Sequence, residues 1–67
     1  MTLGQRIRDA RKKVRLTQTD VALRCDVSVA TVSRWEGGQR TPKMDSLRAL
    51  AKALGVTMAS LVRGIDS

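Results

Sequence analysis

The residues best suited to chemistry lie in one short stretch, Val29 to Glu36, and on either side of it. At about 100° per residue, with Val29 set at zero, Ser33, Ala30 and Arg34 fall within roughly the next 140°, while Val32 and Trp35 point the opposite way. Small side chains at the start of this front would let a helix backbone approach a surface closely, and one long cation follows. The front suits a groove about 12 Å wide, the width of the major groove of DNA. Arg34 has the planar fork that matches O6 and N7 of guanine, a contact worth about 1–3 kcal/mol of discrimination. Its bland alternative is a solvated charge or a phosphate contact without sequence content. Val29 and Ala30 have no hydrogen-bonding side chain, so a thymine methyl or a sugar is their best partner. Ser28, Thr31 and Ser33 offer short hydroxyls for a base or a phosphate. The candidate base contacts are therefore Ser28, Val29, Ala30, Ser33 and Arg34.

A second group suits phosphate. Gln18 would open a helix, where free backbone N–H groups meet the positive end of the helix dipole, and its amide adds a further donor. Gln39, Arg40, Thr41 and Lys43 follow the reading stretch on a polar segment and could clamp the strand from the other side. Candidate phosphate contacts are Gln18, Arg11, Thr31, Gln39, Arg40 and Lys43.

These groups need rigid elements to hold them. Leu3, Ile7, Ala10 and Val14 recur at helical spacing and predict a first helix over about Leu3 to Lys13. Thr17 with Asp20 three residues on is an acidic variant of the capping box, so a second helix runs from Gln18 to about Arg24. Ser28 caps the reading helix, and Gly37 with Gly38 ends it by supplying a left-handed residue. Only Cys25, Asp26 and Val27 separate the two, a turn of helix-turn-helix length. A fourth helix begins between Pro42 and Asp45 and carries Leu47, Leu50, Ala51 and Leu54 up to Gly55. Thr57 caps a fifth, with Met58, Leu61, Val62 and Ile65 on one side. The expected fold is all-α, a compact five-helix bundle forming one domain over residues 1–67, with the helix-turn-helix at about 18–36.

Composition agrees with that architecture. The chain has 67 residues, 42% of them hydrophobic, with Trp35 its one aromatic residue, which implies an aliphatic core of helices packed on helices. Only about 60% of the surface of so short a chain is buried on folding, so the core must be small and tightly patterned. Thirteen Lys and Arg against six Asp and Glu leave a net charge of +7, and a polyanion is the natural partner. Seven of those cations, Arg6, Arg8, Arg11, Lys12, Lys13, Arg15 and Arg24, fall in the first 24 residues. With one cysteine and no histidine there is no disulfide, zinc set or imidazole base, and no cofactor, metal or small-molecule ligand is expected. Cys25 reads as a small core residue. Trp35 reads as a core ring whose indole N–H finds a partner near the backbone. No uncharged run approaches the about 20 residues of a membrane span, and the expected location is the cytoplasm, in association with the nucleoid.

The run LTQTDVALRCDVSVATVSRWEGGQRTP, Leu16 to Pro42, resembles the lambda-repressor-like, Cro and C1 type helix-turn-helix family. Shared marks are Leu-Thr-Gln opening the second helix, Val-Ser before the third, Trp-Glu-x-Gly-x-Arg-x-Pro ending at Pro42, and Ala-Leu-Gly-Val from Ala53 to Val56. The resemblance implies a five-helix bundle that binds operator DNA, with Gln18 on a phosphate and bracing the reader, and Ser28, Val29, Ala30 and Arg34 facing bases. It also implies an ion pair between Arg11 and Glu36 that ties the first helix to the third. The chain departs from the pattern at Asp26, where glycine is usual, and at Arg15, where a small residue is common.

The function expected is that of a sequence-specific regulator of transcription, a repressor of phage or bacterial type. It would bind palindromic double-stranded operator DNA as a homodimer, with readers about 34 Å apart. Leu61, Val62 and Ile65 are the candidate dimer surface, or else they complete the core. The competing function is a protein-interaction module of the same fold, of antitoxin or transcriptional bridging type, which a weak salt dependence would reveal. An enzyme is the poorest option, because no nucleophile, base or paired carboxylates converge.

Overall fold

The computed structural model describes residues 1–66, and side chains through Arg63. Among these residues five helices run in chain order: α1 Leu3–Lys13, α2 Gln18–Cys25, α3 Val29–Glu36, α4 Met44–Leu54 and α5 Met58–Asp66. No strand occurs among them. The second helix runs one residue past the expected Arg24, and the fourth begins inside the expected range.

Local chemistry sets most of these boundaries. Thr17 Oγ1 accepts from the Asp20 amide at 3.0 Å, and the Asp20 carboxylate accepts from the Thr17 amide at 2.8 Å. Two amides that the helix cannot serve are thereby satisfied. These bonds hold the Asp20 carboxyl below its usual range. Thr2 and Gln5 form the same reciprocal box at the start of α1, and Thr57 accepts from the Ser60 amide at 3.0 Å. The ends are left-handed turns: Asp26 has φ 57°, Gly55 φ 69°, and Gly38, just past α3, φ 79°. Arg15 has φ 58° in the connection between α1 and α2. Both departures from the family pattern thus keep the turn geometry with residues that adopt it at some cost.

The core is aliphatic, as expected. Ile7, Val21, Val32, Leu50, Leu54 and Leu61 are the largest side chains fully removed from water, and each contributes about 1.5–3 kcal/mol on burial. Leu3, Ala22, Trp35, Leu47 and Ala51 complete the buried set. α2 packs on α4 and α3, while α1 packs on α5 and α3. The reading helix is therefore held by α1 and α2 and lies at one side of the bundle.

Two expectations need correction, at Val14 and Trp35, and one alternative left open, at Leu61, is decided for the core. Val14 is 46% exposed, because it caps α1 and lies where the helical stripe has ended. Leu61 is 1% exposed and sits in the central cluster, so it cannot offer its side chain to a partner. Val62 is half-buried against the same cluster, and the Ile65 side chain lies outside the described residues. Trp35 is buried, but its indole N–H meets no acceptor among the described residues, since the ring borders a cleft shared with Arg40, Thr41 and Lys43. Cys25 packs half-buried against the core as expected, and burial pushes its thiol up.

Candidate nucleic-acid interface

α3 is bipartite. Val32 and Trp35 are 0% and 5% exposed, whereas Val29, Ala30, Ser33 and Arg34 all lie open to solvent. The inward pair fixes the helix's rotation about its own axis, so the outward four form one face. Arg34 has no ion pair or side-chain hydrogen bond among the described residues, and its fork is available. Val29, at 40% exposed, is an apolar group held in water at the start of that face. Such exposure is unfavourable unless something covers it.

The hydroxyls divide. Ser28 Oγ caps α3 by accepting from the Thr31 amide at 3.1 Å, and it also bonds the Thr31 hydroxyl at 2.9 Å. Ser28 and Thr31 are thus partly committed to each other. The Ser33 side chain has no such bond and is exposed. Beyond α3 the chain folds back: the Gln39 and Arg40 amides both donate to the Arg34 carbonyl, at 3.0 and 3.3 Å. That pair of hydrogen bonds to one oxygen places two exposed phosphate candidates beside the end of α3. Lys43, also exposed, stands at the start of α4.

The inner end of the reader is fastened by a polar cluster. Arg11 grips the Glu36 carboxylate with both arms of its fork, Nε to Oε2 at 2.7 Å and Nη2 to Oε1 at 3.0 Å, and Nη1 donates to the Leu16 carbonyl at 3.0 Å. The side chains are 12% and 5% exposed. The hydrogen bonds to Glu36 hold the Arg11 pKa above its already high value. Gln18 Nε2 adds a third donor to Glu36 Oε1 at 3.1 Å, so one carboxylate joins α1, α2 and α3. Gln18 thus braces α3 while its second Nε2 hydrogen and amide oxygen have no partner among the described residues. Arg11, placed among phosphate candidates by sequence, has three of its five N–H groups turned inward and acts first as a fastening.

Two residues were not singled out from the sequence. Gly4, buried in the first turn of α1, lies against the last carbonyls of α3. A glycine early in a helix carries no signal of such a contact. Arg8 lines a cleft of about 300 Å³ with Arg11, Gln18, Ser33, Glu36 and Gly37. It was one cation among seven.

Similarity to known proteins agrees with this geometry. A helix-turn-helix family model matches residues 7–61. The chain is 36% identical over 62 residues to the immunity repressor protein of Bacillus phage phi105, covering 92% of this chain and 43% of that one. It is 41% identical over 54 residues to the transcriptional regulator DicA of Escherichia coli, covering 81% of this chain and 40% of that one. Among solved structures, the P22 c2 repressor in complex with a synthetic operator superposes with a TM-score of 0.90 at 34% identity, covering 96% of this chain and 97% of that one. The chain spans less than half the length of the two curated relatives. With five helices in this order, a two-sided α3 and the match over residues 7–61, the chain belongs to the lambda-repressor-like helix-turn-helix family.

Proposed function

We propose that this chain is a sequence-specific reader of double-stranded DNA that regulates transcription, most simply as a repressor occupying an operator. The observation that carries the reading is the two-sided α3. Its inner side is locked by Val32, Trp35 and the Glu36 carboxylate, leaving Val29, Ala30, Ser33 and Arg34 as a rigid outer face. A face held in this way enters a major groove without further ordering, so little conformational entropy opposes binding. Arg34 reads guanine, and Val29 and Ala30 pack on thymine methyls. Ser28 and Ser33 serve nearby base edges, while Gln18, Gln39, Arg40, Thr31 and Lys43 hold phosphates. Support also comes from the P22 c2 repressor, whose structure in complex with an operator superposes on this chain. A two-fold homodimer on a palindromic site would present two such faces about one helical turn apart. No helix of the described residues is long and apolar enough to cross a membrane.

Selection from randomised duplexes tests the proposal. The expected result is a short consensus in two inverted half-sites, bound with an affinity that falls steeply as salt rises. Recovery of no consensus, or binding of a protein partner that salt leaves unchanged, would refute it.

A further inference from the structure

Arg8 and Lys12 stand one helical turn apart on α1, both exposed, and neither forms an ion pair among the described residues. Asp9 lies beside them and pairs with neither. The Arg8 end of this ridge opens into the cleft bordered by Gln18, Ser33 and Gly37. The second cation of that cleft, Arg11, is neutralised by Glu36, so the uncompensated charge there belongs to Arg8. Gln18, on the same cleft, opens α2, whose first amides lie beyond the reach of the helix's own carbonyls. The Thr17 hydroxyl serves the Asp20 amide, while those of Gln18 and Thr19 have no acceptor among the described residues. A guanidinium and a Gln18 side-chain amide hydrogen, both without a partner among the described residues, therefore share one cleft with Ser33 of α3, and a lysine continues the line one turn along α1.

We propose that Arg8 and Lys12 form a second phosphate track on α1, binding successive backbone phosphates of the strand whose bases α3 faces. The occupant is a DNA backbone because the donors are cationic and lie in line one helical turn apart, about 5.4 Å, and because Arg8, at one end of the line, borders the same cleft as Ser33 of α3 while Lys12 continues the line along α1 beyond it. The track rests on the DNA-reading function proposed above. It contributes affinity and register but no base preference, since phosphates carry no sequence.

The test compares the chain with two double variants, R8Q/K12Q and, as a charge-matched control, R48Q/K52Q. The control cations are exposed on α4, which packs on α2 and α5 away from the cleft. Circular dichroism and thermal melting establish that all three are equally folded. Binding to the selected duplex is then followed against salt. Each lost phosphate contact makes the slope of log K against log salt shallower by about 0.9, so R8Q/K12Q should lose about 1.8 per bound chain with its consensus unchanged. The control should keep the parental slope. Equal slopes for the chain and R8Q/K12Q, or an equal change in the control, overturn the track while leaving the DNA-reading function standing. A parental chain that selects no duplex overturns both.

Discussion

The backbone of Gly4 lies so close to that of Glu36 that a Cβ added to Gly4 would stand 2.5 Å from the Glu36 carbonyl oxygen and 2.5 Å from that of Trp35. α1 and α3 therefore touch backbone to backbone at the end of the reader. One helical face of α1 carries two fastenings, Gly4 at this contact and Arg11 two turns on at the Glu36 carboxylate.

Gly4→Ala should accordingly destabilise the fold despite the better helix propensity of alanine. Propensity favours alanine by about 1 kcal/mol at an interior site and less in a first turn. Overpacking against two backbone oxygens costs about 1–3 kcal/mol, because neither oxygen can swing aside as a side chain would. A net loss of about 1–2 kcal/mol in urea denaturation is expected, together with weaker discrimination among duplexes as α3 shifts. A gain in stability would show that the two helices separate freely.

Glu36→Gln tests the second fastening. The carboxylate is 5% exposed and accepts from two Arg11 nitrogens and from Gln18. Breaking a buried pair costs about 3–5 kcal/mol and an exposed one almost nothing. The small exposure places this pair nearer the buried limit, and glutamine keeps one acceptor, so a loss of about 2–3 kcal/mol is expected. Gln18→Ala removes only the neutral donor and should cost about 1 kcal/mol, while weakening binding to every duplex. Unchanged affinity in Gln18→Ala would remove Gln18 from the interface.

Elements were legible in the sequence where local rules act. Thr17 with Asp20, Ser28, Thr57 and the glycines bounded the helices because capping is decided within four residues. Val32 and Trp35 identified the inner side of α3 because a period of 3.6 residues separates inside from outside without knowledge of neighbours. What stayed hidden depended on contacts between distant segments. Gly4 reads as an indifferent helix residue until α3 is laid across it, and Leu61 follows the same spacing whether it seeks the core or a partner. Arg8 became distinct from six other early cations only when Arg11 proved to be neutralised by Glu36.

Arg15→Gly and Asp26→Gly should each stabilise the chain. Both residues hold left-handed backbone, at φ 58° and 57°, where a Cβ costs about 1–2 kcal/mol, less for Asp, whose short polar side chain suits that region. Glycine avoids this strain but gives up more entropy on folding, leaving a net gain of about 0.5–1 kcal/mol. In a domain of this size that is about 5 °C in melting temperature. The turns are separate, so the two gains should add. A fall in melting temperature would mean that the Arg15 or Asp26 side chain holds its turn by a contact.

Arg34 decides between reading and mere attraction. Removal of a cation that neutralises a phosphate weakens binding to all DNA by reducing counterion release, with the slope against salt shallower by about 0.9. Loss of a bidentate guanine contact adds about 1–3 kcal/mol at one base pair of each half-site and nothing elsewhere. Arg34→Lys separates the two effects, because lysine keeps the charge but lacks the planar fork. If Arg34 reads a base, the lysine variant should retain affinity for unselected duplexes while the consensus loses its preference at one position per half-site. If it only meets a phosphate, lysine should restore binding on every sequence alike. The base-reading role then fails, and discrimination falls to Val29, Ala30 and the two serines.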